Sequence, residues 1–154
     1  MSLFDTVSEA IKPAMLARDK VRLEALRGIK KEFIEARTAP GSGGELTDEA
    51  ALKILTRMVK QRRESAQIYT EQGRPELAEN ELAEARVIEE FLPARLSEAE
   101  LKDAVAGIIN QLGATSPAEM GKVMGVASKQ LAGKADGKDI AATVRMLLAQ
   151  NAAR

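Results

Sequence analysis

Six residues near the end of this 154-residue chain are typed and spaced for contact with a polyanion: Gly121, Lys122, Gly125, Lys129, Lys134 and Lys138. They lie in Met120–Lys138, a stretch with four lysines and a single acid, Asp136. Lysine supplies a point charge for a phosphate oxygen, and a glycine beside it leaves the backbone bare for close approach. Gly121 and Gly125 are four apart inside a helical pattern, so they form one smooth strip. Each costs such a helix about 1 kcal/mol relative to alanine. Packing of a neighbouring helix against that strip is the commoner use and is the expectation. The sharper reading is approach by a nucleic-acid backbone. Lys122 and Lys129 lie away from the apolar stripe of Met120, Val123, Met124, Ala127 and Leu131, and Lys134 and Lys138 follow in the next turn. A solvated lysine face is the bland alternative.

Other chemistries find few residues here. Histidine, cysteine and tryptophan are absent, which removes zinc sites, thiol catalysis, a histidine general base and disulfides together. The glutamates of 76–90 (Glu76, Glu79, Glu81, Glu84, Glu89, Glu90) are read as a solvated acidic face that repels nucleic acid, not as metal ligands or an acid/base pair. Gly133-Lys134 is no phosphate loop, because Ser128 stands where its first glycine belongs and Ala135 replaces the Ser or Thr. Ser128 beside Lys129 and Lys134 lacks the Gly/Ser-rich setting of a Ser-Ser-Lys relay. No catalytic residue, metal or cofactor is assigned. Net charge is zero, yet residues 120–154 carry six cations against two acids and residues 45–103 nine against fourteen. Polyanion binding, where it occurs, belongs to the C-terminal end.

The elements that must position these residues are helical. Apolar residues make up 45% of the chain and aromatics 3%, a palette of Leu, Ile, Val, Met and Ala that favours helix over sheet. Leu3, Phe4, Val7, Ile11, Ala14 and Met15 stripe a first helix over 3–17, which Pro13 should kink or shorten. Asp19 caps a second over about 19–37, with Leu23, Leu26, Ile29, Phe33 and Ile34 inward. After the Ala39–Gly44 loop, Thr47 caps a long helix that runs to Gly73, about 26 residues or roughly 39 Å. Its stripe is Leu52, Leu55, Val59, Ala66 and Tyr69. Its cations Lys53, Arg57, Lys60, Arg62 and Arg63 are expected in solvent with intrahelical partners such as Glu64 for Lys60. A second phosphate-contacting strip is the alternative. Pro75 opens a fourth helix, with Leu77, Leu82, Ala85, Ile88, Phe91 and Leu92 apolar. Pro93 closes it and marks a boundary.

Beyond that boundary, Ser97-Glu-Ala-Glu100 and Ser116-Pro-Ala-Glu119 read as capping boxes, and Gly113 and Gly133 as left-handed helix ends. Asp136, with Asp139 as return partner, caps the last helix. The prediction is an all-α protein: an elongated N-terminal helical hairpin or bundle over 1–93, then a small three-helix bundle over 94–154. No membrane-spanning run and no secretory leader are found, which gives a cytoplasmic expectation.

Met120-Gly-Lys-Val-Met-Gly125 and Gly133-Lys-Ala-Asp-Gly-Lys138 resemble the C-terminal signature of the YqeY-like proteins. The resemblance extends back through Glu89-Glu-Phe-Leu-Pro93, Lys60-Gln-Arg-Arg63 and Leu23-Glu-Ala-Leu-Arg27. It departs at Thr38–Gly44, a longer loop than the pattern suggests. That family is similar to the tail domain of the B subunit of the tRNA-dependent amidotransferases. The resemblance therefore implies tRNA as partner, an amidotransferase or other translation-related protein as a second, and a link to glutamine-dependent carbon–nitrogen ligase chemistry in an accessory role. A helical adaptor that binds protein and no RNA is the competing expectation.

Overall fold

The computed structural model describes residues 1–153. They form seven α-helices and one 3-10 turn, with no strand among them, so the protein is all-α. The chain divides into two compact units, Met1–Pro93 and the segment from Ala94 onward.

The first unit holds α1 (Leu3–Leu16), α2 (Lys20–Thr38), α3 (Asp48–Glu71) and α4 (Pro75–Glu89). Each start has a local cause. The Ser2, Asp19 and Thr47 side chains accept from the backbone N–H groups of Asp5, Arg22 and Ala50, satisfying donors that have no intrahelical partner. Pro75 takes the first turn of α4, where its missing donor is not needed. The α3–α4 hairpin is the principal packing, and α1 and α2 lay a second hairpin on it. Val7, Leu26, Ile29, Phe33, Leu55, Met58 and Ile88 fill the core between them. Fully burying side chains of this size contributes roughly 1.5–3 kcal/mol each.

Several expectations need correction in this unit. Pro13 lies inside α1, which runs to Leu16, one residue short of the expected end. The proline lies in the last turn, where it forfeits one bond, and its carbonyl still accepts from Ala17 N–H at 2.9 Å. Met15, Ile34 and Leu77 are exposed, not inward. Their places at the edge of each stripe go to smaller neighbours such as Ala14 and Ala78, which are buried and bring the helices closer. The helix end at Arg18 is also unforeseen: this residue is left-handed, with φ 56°.

The second unit holds α5 (Glu98–Leu112), the 3-10 turn Pro117–Glu119, α6 (Met120–Gln130) and α7 (Gly137–Ala152). Leu101, Val105, Ile108, Ile109, Val123, Ala127, Leu131, Ile140, Val144, Leu147 and Leu148 form its core. Ser97 and Glu100 make the full reciprocal capping box. Gly113 at φ 66° and Gly133 at φ 76° turn the chain in the left-handed region, which glycine enters without penalty. Asp136 has the extended backbone of a cap, but its side chain makes no capping bond. It pairs with Arg95 at 3.1 Å instead.

Candidate functional site

α6 presents its apolar side to the core through Val123 and Ala127, both fully buried. Its opposite side carries the predicted glycines and lysines. At about 100° per residue, Gly121, Lys122, Gly125, Ser128 and Lys129 fall within about a third of the circumference. Gly121, Lys122, Gly125 and Lys129 are exposed. A β-carbon built on Gly121 or Gly125 would meet no atom within 4 Å. No helix of this unit packs against the strip. The glycines are not making room for a neighbour in this unit; they leave a length of helix backbone bare to solvent.

Among the described residues, the lysines around the strip form no ion pair. Arg95–Asp136 is the sole ion pair in the second unit among the described residues, so Lys122, Lys129, Lys134 and Lys138 enter none. Lys122 Nζ reaches the Leu112 carbonyl at 3.5 Å, a long contact to the end of α5. Lys134 is half-buried in the turn after α6. Its backbone is fixed, since its carbonyl accepts from Leu96 N–H at 2.9 Å. Lys138 is exposed in the first turn of α7. Fold and helical phase thus bring Gly121, Lys122, Gly125 and Lys129 onto one face, and the other two lysines follow in the same unit.

Glu119, immediately before this helix, was expected only as the return half of a capping box. Its Oε2 accepts from Thr115 N–H at 2.6 Å and Ser116 N–H at 3.1 Å. Those two bonds, Thr115 first, hold its carboxyl below the usual carboxylate range, with Lys122 nearby adding to the effect.

The arginines of the first unit are arranged differently. Arg57 pairs with Glu32 at 2.8 Å, Arg62 with Glu84 at 3.3 Å and Arg63 with Glu89. Arg22 of α2 pairs with Glu90 at 2.6 Å. These partners lie on other elements, whereas Lys53–Glu49 on α3 and Arg86–Glu79 on α4 pair within one helix, and Lys60–Glu64 is not among the ion pairs formed by the described residues. The acidic face of α4 is therefore not simply solvated. It neutralises guanidinium groups that would otherwise offer a second polyanion strip. Glu84 is the most buried of these acids, its side chain 13% exposed. Burial pushes its pKa up, and Arg62 pulls it back down.

Among the described residues no cluster of three or more acids is placed to hold a metal ion. No helix among them is long and apolar enough to cross a membrane.

Comparison with known proteins points to one family. Proteins named "Altered inheritance of mitochondria protein 41, mitochondrial" are similar to this chain in three yeasts. The Clavispora lusitaniae protein is 28% identical over 113 residues, covering 72% of this chain and 65% of that protein. In Lachancea thermotolerans the identity is 28% over 113 residues, covering 70% and 58%. In Meyerozyma guilliermondii it is 32% over 111 residues, covering 70% and 57%. The match thus spans less than two thirds of each relative's length. The profile of the YqeY-like proteins covers residues 4–148, both helical units together, and the chain belongs to that family.

Proposed function

We propose that this protein is a tRNA-binding accessory module whose second unit contacts the RNA backbone through α6 and the turn that follows it. The observation that carries the reading is the open glycine strip: bare helix backbone at Gly121 and Gly125 with unpaired lysines on the same face. Lys122, Lys129, Lys134 and Lys138 supply charge to phosphates, and the glycines permit close approach. Most of the affinity is then electrostatic and falls as salt rises. The segment from Ala94 onward has no aromatic residue, so stacking on unpaired bases is not available to it and recognition is of RNA shape. The likeness of the family to the amidotransferase B-subunit tail supports tRNA as the RNA. It also supports a supporting place beside a glutamine-dependent carbon–nitrogen ligase, with the chemistry carried by the partner enzyme. The reading assigns the chain to the cytoplasm. The names of the yeast relatives make fractionation the direct check on that assignment, with recovery in the soluble cytoplasmic fraction expected.

Leucine at Gly121 and Gly125 tests the reading. Both positions open to solvent, and leucine is the better helix former, so the fold persists while the strip is blocked. Loss of tRNA binding by the folded double variant is expected. Undiminished binding would contradict the proposal.

A further inference from the structure

Glu119 sits where the loop after α5 becomes α6, two residues before the first glycine of the strip. Its single oxygen Oε2 takes both Thr115 N–H at 2.6 Å and Ser116 N–H at 3.1 Å. Its own N–H donates back to the Ser116 carbonyl at 3.0 Å. The five residues 115–119 thus close on themselves. Ala114, just before them, is buried in the core of the unit, and Met120, just after, packs on that core. A β-carbon at Gly121 or Gly125 would meet no atom within 4 Å, so no side chain at these positions anchors α6. A helix with two exposed glycines near its start is intrinsically loose there, and something outside the glycines has to fix its first turn.

We propose that Glu119 is the positioning residue of the glycine face: its carboxylate latches the 115–119 turn and so keeps the first turn of α6, from which the Gly121–Gly125 strip starts, wound and docked. The inference rests on the reading of that face as the RNA contact. It makes an unusual prediction about sign. An acid beside a phosphate-binding face repels the ligand, so on electrostatics alone its removal tightens binding. As a latch, its removal loosens the face and weakens binding. Glutamine separates the two, because it keeps the acceptor oxygen and loses the charge.

The experiment measures tRNA affinity against salt for the full chain and its Glu119→Ala and Glu119→Gln variants, with amide hydrogen exchange at Met124 and Gly125 on the same proteins. The latch predicts affinity about fivefold weaker for Glu119→Ala, the scale of one lost hydrogen bond. It also predicts an unchanged salt slope, because no phosphate contact is lost. Glu119→Gln should bind as tightly as the native chain or more tightly. Exchange at Met124 and Gly125 should quicken in the alanine variant alone. Equal or tighter binding by Glu119→Ala overturns the latch, as does a glutamine variant as weak as the alanine one. Absence of tRNA binding by the native chain removes the RNA reading instead. In that case unchanged exchange at Gly125 in Glu119→Ala still overturns the latch by itself.

Discussion

At positions 121 and 125 a β-carbon would find open space, yet the chain places glycine there and forgoes helix stability. Alanine at each position should stabilise the second unit by about 1 kcal/mol, read as a higher urea midpoint. If the face contacts RNA, the same changes should weaken tRNA binding; a gain in stability with full binding would leave the glycines without a role. Gly121 and Gly125 stood out in the sequence because glycine in a helical pattern is a visible anomaly. Their exposure was not legible, since close packing and bare surface call for the same residue. Glu119 returns its predicted bond to Ser116 N–H, while its second bond, to Thr115 N–H, is one the capping-box pattern does not announce. Glu84 gives a prediction in pH. Burial raises its folded-state pKa above the unfolded value. Its ionised form therefore costs stability at neutral pH, and that cost is relieved as pH falls through the folded pKa. Arg62→Ala removes the group that offsets the burial and should destabilise by about 1 kcal/mol at pH 7, the scale of a partly exposed pair. Denaturation at pH 5 should show a smaller loss. An equal loss at both pH values would argue against a raised pKa at this partly buried carboxylate.

Helix boundaries followed local chemistry that the sequence states openly. Ser2, Asp19, Thr47 and Ser97 cap the helices they precede, and Gly113 and Gly133 end theirs in the left-handed region. What the sequence hid was competition between elements. Asp136 could cap α7 or meet Arg95, and it meets Arg95. The acids of α4 could face water or the arginines of α2 and α3, and Glu84, Glu89 and Glu90 face arginines. Spacing within one helix cannot reveal a partner on another. Glu89 and Glu90 receive Arg63 and Arg22 from two different helices at the end of α4. The double change to glutamine should cost about 1 kcal/mol in total, as expected for exposed pairs, and should make stability less sensitive to salt. It also uncovers two guanidinium groups. Arg18, left-handed at the end of α1, carries a strain of about 1 kcal/mol that glycine would release. Arg18→Gly should therefore raise the thermal midpoint.

The two units have separate apolar cores, one built from α1 to α4 and one from α5 to α7. A fragment beginning at Ala94 should consequently fold alone, with helical circular dichroism and a cooperative transition, and should retain the RNA contact if the second unit carries it. Charge is managed differently in each. The first unit ties most of the cations on α3 to carboxylates, while among the described residues Lys122, Lys129, Lys134 and Lys138 of the second enter no ion pair. A net charge of zero therefore conceals a local excess of cations at the C-terminal end. The most direct test is tRNA binding across a salt series by the native chain and by a variant with Lys122, Lys129, Lys134 and Lys138 all changed to alanine. The account predicts salt-dependent binding by the native chain, and a variant that binds weakly with its log–log slope reduced by roughly one unit per lost phosphate contact. Binding that ignores salt, or a variant with the native slope and affinity, would contradict it.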